Sequence, residues 1–146
     1  MIEPLLITSS LLLGKEVFTH TITNTTNNIY IGIEKLLKND NIEFKKICDD
    51  LDITIKLDII NTFIIDIHDS EKIFNKSIKK TFKYLEQILK TIELEIKNIN
   101  NELLFYETIW FRTFRKCSYT SMVANLVKHV HILNQRFELL LKLIKI

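Results

Sequence analysis

The chain has 146 residues, 47% of them hydrophobic, with two glycines and one proline, Pro4, so it can build one domain around a real core but lacks the turn chemistry that an all-β fold needs. Alanine, the best helix former, occurs once, at Ala124, so any helices must be held by packing rather than by propensity. The net charge of +2 is weak for a nucleic-acid binder, yet it is polarised: residues 1–70 carry eleven acids and six bases (net −5), residues 71–146 seven acids and fourteen bases (net +7).

The first segment runs from Pro4 to about Lys38, with Leu11, Phe18, Ile22, Ile29, Ile33 and Leu36 at helical spacing. Its middle, THTITNTTNNIYIG, is rich in Thr and Asn, whose side chains compete for backbone hydrogen bonds. One bent helix and two separate helices are both open. KNDN (38–41) reads as a loop and IEFKKICDD (42–50) as a short helix.

In DDLDITIKLDIINTFIIDIHDS, Ile53, Ile55, Leu57 and Ile59 alternate as in a strand, while Ile53, Leu57, Ile60, Ile64 and Ile67 keep a 4,3,4,3 rhythm over a longer stretch. A helix is the expectation, with Asp50 or Asp52 as its N-cap. The Ile and Thr content keeps a strand as the alternative. HDS (68–70) reads as the turn before the next helix, with Asp69 or Ser70 as cap.

From there Ile78, Phe82, Leu85, Leu89, Ile92, Ile96, Ile99, Leu103, Tyr106 and Trp110 form an unbroken heptad, a stripe of about 50 Å at 1.5 Å per residue. Val123, Leu126, Val130, Leu133, Phe137, Leu140 and Ile144 repeat the rhythm, predicting a last helix from about Thr120, capped by Ser118, Thr120 or Ser121. Short connections make antiparallel neighbours. The expected fold is therefore all-α: a helical bundle built on a long antiparallel coiled-coil-like hairpin. It spans residues 1–146 as a single domain, with the helices of 1–69 packed on the hairpin of 70–146.

Motifs with chemistry attached are scarce. His129 and His131 lie two apart, on different faces of a helix, and His20 and His68 are isolated, so no metal spacing exists. Asp49, Asp50 and Asp52 precede an apolar helix, where acids serve as caps and complement the helix dipole. Cys48 and Cys117 make no CxxC pair, although Arg115 and Lys116 beside Cys117 could lower its thiol pKa. Gly14 and Gly32 stand alone, so there is no phosphate loop. No enzyme activity, cofactor, metal or small-molecule substrate is expected. The start MIEPLLITSSLLLG contains Glu3 and no basic leader, and no run reaches the roughly 18 apolar residues of a spanning helix. Neither a signal peptide nor a transmembrane helix is expected, and the location is intracellular.

GKEVFTHTITNTTNNIY (14–30), LDITIKLDIINTFIIDI (51–67) and YETIWFRTFRK (106–116), with an Ile, Lys and Asn excess that suits an AT-rich genome, resemble small uncharacterised all-helical proteins of large nucleocytoplasmic DNA viruses. The resemblance implies a viral accessory or virion-associated protein, in the cytoplasm or the virion. It assigns no site residue.

The expected role is that of an interaction or structural protein, binding a protein partner or itself, with a homodimer suggested by the unequal lengths of the two heptad helices and by the charge polarity. The candidate contact lies in IWFRTFRKC (109–117). Read as the end of the long helix, it turns Trp110 and Phe114 inward. Phe111, Arg112, Arg115 and Lys116 then offer an apolar residue ringed by cations to an acidic partner. The alternative is an anionic-surface binder, engaging nucleic acid or membrane phosphates through Lys72, Lys76, Lys79 and Lys83, which share one helix face.

Overall fold

The computed structural model describes the backbone of residues 3–38, 42–70, 74–106 and 112–145, and the side chains of 17–38, 44–70, 74–103 and 120–145. Five helices follow in order: α1 (Glu3–Lys38), α2 (Ile42–Leu51), α3 (Ile53–Asp69), α4 (Lys76–Tyr106) and α5 (Arg112–Lys145). No strand occurs among the described residues, so the fold is an all-α bundle.

The threonine-rich segment is one continuous helix of 36 residues. Its hydroxyls are absorbed within the helix: Thr23 Oγ1 donates to the Thr19 carbonyl at 2.9 Å and Thr25 Oγ1 to the Thr21 carbonyl at 2.8 Å. Bonded this way, a threonine can be buried without an orphaned donor. Ile22, Thr26, Ile29, Ile33 and Leu36 are all buried on one stripe, with Thr26 in a position that apolar pattern reading passes over. Its hydroxyl lies 2.9 Å from the Thr23 carbonyl and 2.8 Å from Oδ1 of Asn61 on α3. A hydroxyl has one proton, so it donates to one of these two oxygens at a time.

Asp52 joins α2 to α3 in a left-handed conformation (φ 50°, ψ 36°), which aspartate tolerates better than most residues. It occupies the N-cap position of α3, but its side chain makes no capping bond. The junction is instead held by main chain: Asp52 N–H to the Asp49 carbonyl at 3.2 Å, and Lys56 N–H to the Asp52 carbonyl at 2.9 Å. Asp50 lies inside α2, so neither expected side-chain cap is realised. The helical rhythm wins over the alternating one. Ile53, Leu57, Ile60, Ile64 and Ile67 are buried, whereas Ile55 and Ile59 face outward.

The cap of α4 also differs from expectation. Asp69 is the last residue of α3, and Ser70 closes that helix, its Oγ and N–H both reaching the Ile67 carbonyl (2.7 and 3.1 Å). Asn75 caps α4, its Oδ1 accepting the Ile78 N–H at 2.9 Å. The seven heptad residues from Ile78 to Ile99 are buried and Leu103 is half-buried. Tyr106 ends the helix, and Trp110 lies outside the described residues. Helix α5 begins at Arg112, ahead of the expected start, which puts Ser118, Thr120 and Ser121 inside it rather than at its cap. Val123, Leu126, Val130, Leu133 and Leu140 form its buried stripe, with Phe137 and Ile144 half-buried.

Cross-helix contacts fix the directions. Glu95 meets His129 and Tyr84 meets Arg136, so α4 and α5 run antiparallel. Phe18 stacks on Phe82 (ring centroids 6.0 Å apart), Asn28 meets Glu93 and Gly32 meets Asn100, so α1 lies parallel to α4. Thr26 meets Asn61 and Tyr30 meets Thr54, so α1 and α3 are antiparallel. Phe63 of α3 packs edge-on against Phe137 of α5 at 5.4 Å, which closes the ring of four long helices.

The α1–α4 seam is close because of one residue. A Cβ at Gly32 would sit 2.6 Å from Cγ2 of Ile96, inside any tolerable contact. Across the same seam the Asn100 amide donates to the Gly32 carbonyl at 3.0 Å.

Candidate interaction surface

The tip named from sequence is placed differently by the fold. Phe111 lies outside the described residues. Arg112, Arg115 and Lys116 belong to the opening turns of α5 instead of the closing turn of α4, and their side chains are also outside the described set. The correction matters electrostatically. Cations at a helix C-terminus complement the dipole, but these cations stand at an N-terminus, where the dipole is positive.

Of the lysines proposed for phosphate contact, Lys76 and Lys83 are exposed and Lys79 is half-buried, all on the first turns of α4. Lys72 lies outside the described residues.

Inside the bundle, the polar groups face each other across seams. Nδ1 of His129 on α5 lies against Oε1 of Glu95 on α4, with both side chains mostly covered. Glu95 Oε2 is buried and has no hydrogen-bond partner among the described residues. Burial pushes the Glu95 carboxyl above the usual carboxylate range, an effect that His129 partly offsets by charge and hydrogen bonding. The Cys48 thiol is buried and pushed up to about 12 by desolvation, with the Asp49 carboxylate adding to the shift. A thiol raised that far stays protonated at neutral pH, which disfavours nucleophilic attack. Among the described residues no group of three His, Cys, Asp or Glu side chains could hold a metal ion, and no helix is long and apolar enough to cross a membrane.

Two surfaces stand out. The first is the outward face of α3, where Ile55 is 59% exposed and Ile59, one turn on, 54%. Beside it a shallow groove of 300 Å³ runs between α3 and α5, past Ile59 and Phe137. The second is a trough of 540 Å³ between α1 and α4, floored by Gly32 and Ile96 and flanked by Lys35, Lys38 and Lys97. Asn28, Asn100 and Asn101 add amides, and Glu93 is its one acid, reached by the Asn28 amide at 3.4 Å.

The sequence reading passed over both. Ile55 and Ile59 were visible as apolar residues off the helical stripe. Gly32 carried the signal for the trough, since an isolated glycine in a helical pattern marks close approach of another backbone or side chain. In comparison with known proteins, no family model, no curated protein and no solved structure matches this chain.

Proposed function

We propose that this chain is a non-enzymatic helical binder that engages a protein partner, or further copies of itself, through its helix faces. The carrying observation is the outward face of α3, with Ile55 and Ile59 more than half exposed one turn apart. Burying an isoleucine is worth about 1.5–3 kcal/mol, so a partner covering both would gain several. The cations of the tip support the same reading: Arg112, Arg115 and Lys116 gain nothing from the dipole at the start of α5, and an acidic partner gives them a role. The reading is non-enzymatic because the interior polar groups, Glu95 with His129 and Thr26 with Asn61, engage each other across packed seams. The likeness to giant-virus helical proteins adds that such a binder would serve in the cytoplasm or the virion as an accessory component.

The test is light scattering of the purified protein at micromolar concentration, with a pull-down from its native cell, beside an Ile55→Ser, Ile59→Ser variant. The wild type should exceed the monomer mass or retain a defined protein, and the variant should lose it at unchanged melting temperature. A monomeric wild type whose retained proteins match those of the variant would refute the reading.

A second reading, binding of nucleic acid or a membrane surface, rests on exposed Lys76 and Lys83 at the start of α4. Its mark is binding lost steeply with salt; protein association through α3, with an apolar centre, should respond weakly.

A further inference from the structure

We propose that copies of this chain join head to tail, with the outward face of α3 on one copy seated in the α1–α4 trough of the next. The inference rests on the binder reading above and names its two surfaces. The exposed residues of α3 include Ile55, Asp58, Ile59, Thr62 and Asp66. Helical spacing places Ile55, Ile59, Thr62 and Asp66 on one side, with exposed Asp52 in the junction ahead of the helix, so the face has an apolar centre bordered by acids. The trough has the opposite chemistry. Lys35 and Lys38 stand on its α1 wall and Lys97 on its α4 wall, and none of the three forms an ion pair among the described residues. Its lining also holds an exposed apolar group, Ile31 on the α1 wall, at 46%.

Acids would meet lysines and isoleucines would meet Ile31. The ion pairs set direction and register, and the apolar centre supplies most of the affinity. The trough's one acid does not reverse its sign, because three lysines outnumber Glu93 and the Asn28 amide already engages that carboxylate.

The geometry also fixes the symmetry. Thr26 and Tyr30 turn one side of α1 toward α3, while Ile31 and Lys35 line the trough on the side toward α4. Ile59 in turn lies on the α5 side of α3, beside Asn134 and Phe137, so the α3 face and the α1–α4 trough sit at different seams of the bundle and are unlike patches. A contact between unlike patches that cannot be returned by the same partner builds a ring or an open row instead of a two-fold dimer.

Two blocking variants test this. Ile55→Glu with Ile59→Glu spoils the α3 face and leaves the trough. Lys35→Glu with Lys97→Glu spoils the trough and leaves the α3 face. All four positions lie outside the core, so circular dichroism and melting should match the wild type. By light scattering, the wild type should grow beyond two chains as concentration rises, each variant alone should stay monomeric, and an equimolar mixture should form a two-chain complex and stop there. A mixture that stays monomeric overturns the proposal, as does a trough variant that associates like the wild type. If the α3 variant alone dissociates, the binder reading survives and this junction does not. A wild type that is monomeric at every concentration also overturns the junction, and a protein partner retained through α3 would then be the surviving form of the binder reading.

Discussion

Arg136 of α5 donates from Nη1 to the main-chain carbonyl of Tyr84 in the third turn of α4, at 2.7 Å, while its guanidinium carbon sits 5.8 Å from the centre of the Tyr84 ring. One side chain thus ties α5 to both backbone and ring of its neighbour. A carbonyl has two lone pairs and can accept this bond in addition to a helical one. The contact is on the surface, so its worth is modest. Arg136→Ala should cost about 1 kcal/mol, and Arg136→Lys should recover only part of it, since an ammonium lacks the planar fork. Chemical denaturation of the three proteins provides the check.

Gly32 should resist even the smallest enlargement. Gly32→Ala gains about 1 kcal/mol of helix propensity. Against that, the new Cβ meets a stiff branched methyl of Ile96 at 2.6 Å, and overpacking of this kind costs about 1–3 kcal/mol. The clash should win, lowering the melting temperature. In an Ile96→Ala background the same substitution should cost less, because the colliding methyl is gone. Equal costs in both backgrounds would show that the close seam is not what selects glycine.

Glu95 should make the bundle less stable as pH rises. Desolvation raises its carboxyl above the ordinary value of 4.5, despite the opposing influence of His129. A group with a raised folded value contributes its full share below the unfolded value and loses it as pH climbs through the folded one. Glu95→Gln, which cannot ionise, should therefore melt higher than the wild type at pH 7, and the difference should close on acidification through 4.5. Thermal melts across this range would reveal the sign, and a variant less stable at pH 7 would contradict it.

At the tip, structure and binding should move in opposite directions. Arg112→Glu with Arg115→Glu replaces cations by acids at the start of α5, where an acid gains ~0.3–1 kcal/mol from the dipole. The double variant should hold or raise its melting temperature while losing association with an acidic partner. Unchanged association would assign these arginines no part in binding.

The buried stripes of α3, α4 and α5 were legible because a heptad reports directly which residues leave water, as from Ile78 to Ile99. The ends of helices were not. Asp69, Ser70 and Asn75 all carry capping chemistry, and nothing local decides among them; Asn75 is used because α4 starts at Lys76. The end of α4 at Tyr106 was hidden for a different reason. The apolar spacing runs on through Tyr106 to Trp110 with no glycine or proline to interrupt it. The trough was beyond periodicity altogether, because it depends on the register of two parallel helices, in which Gly32 meets a residue 68 positions away. The outward isoleucines of α3 could have been found once the helical rhythm was preferred, since Ile55 and Ile59 were then left without a core position.

The parallel pairing of α1 with α4 also orders events in time. Helices α4 and α5 are consecutive in the chain, Tyr106 ending one and Arg112 opening the other, so their seam joins segments close in sequence. The α1–α4 seam joins residues 65 and 68 apart, as in Asn28 with Glu93 and Gly32 with Asn100, and must await the return of a distant segment at a larger entropic cost. The C-terminal pair is thus the expected nucleus and α1 the late arrival. Substituting Val130 between α4 and α5 should chiefly slow refolding, whereas substituting Ile33 on α1 should chiefly hasten unfolding, a division that stopped-flow kinetics can read from the two arms of a chevron plot.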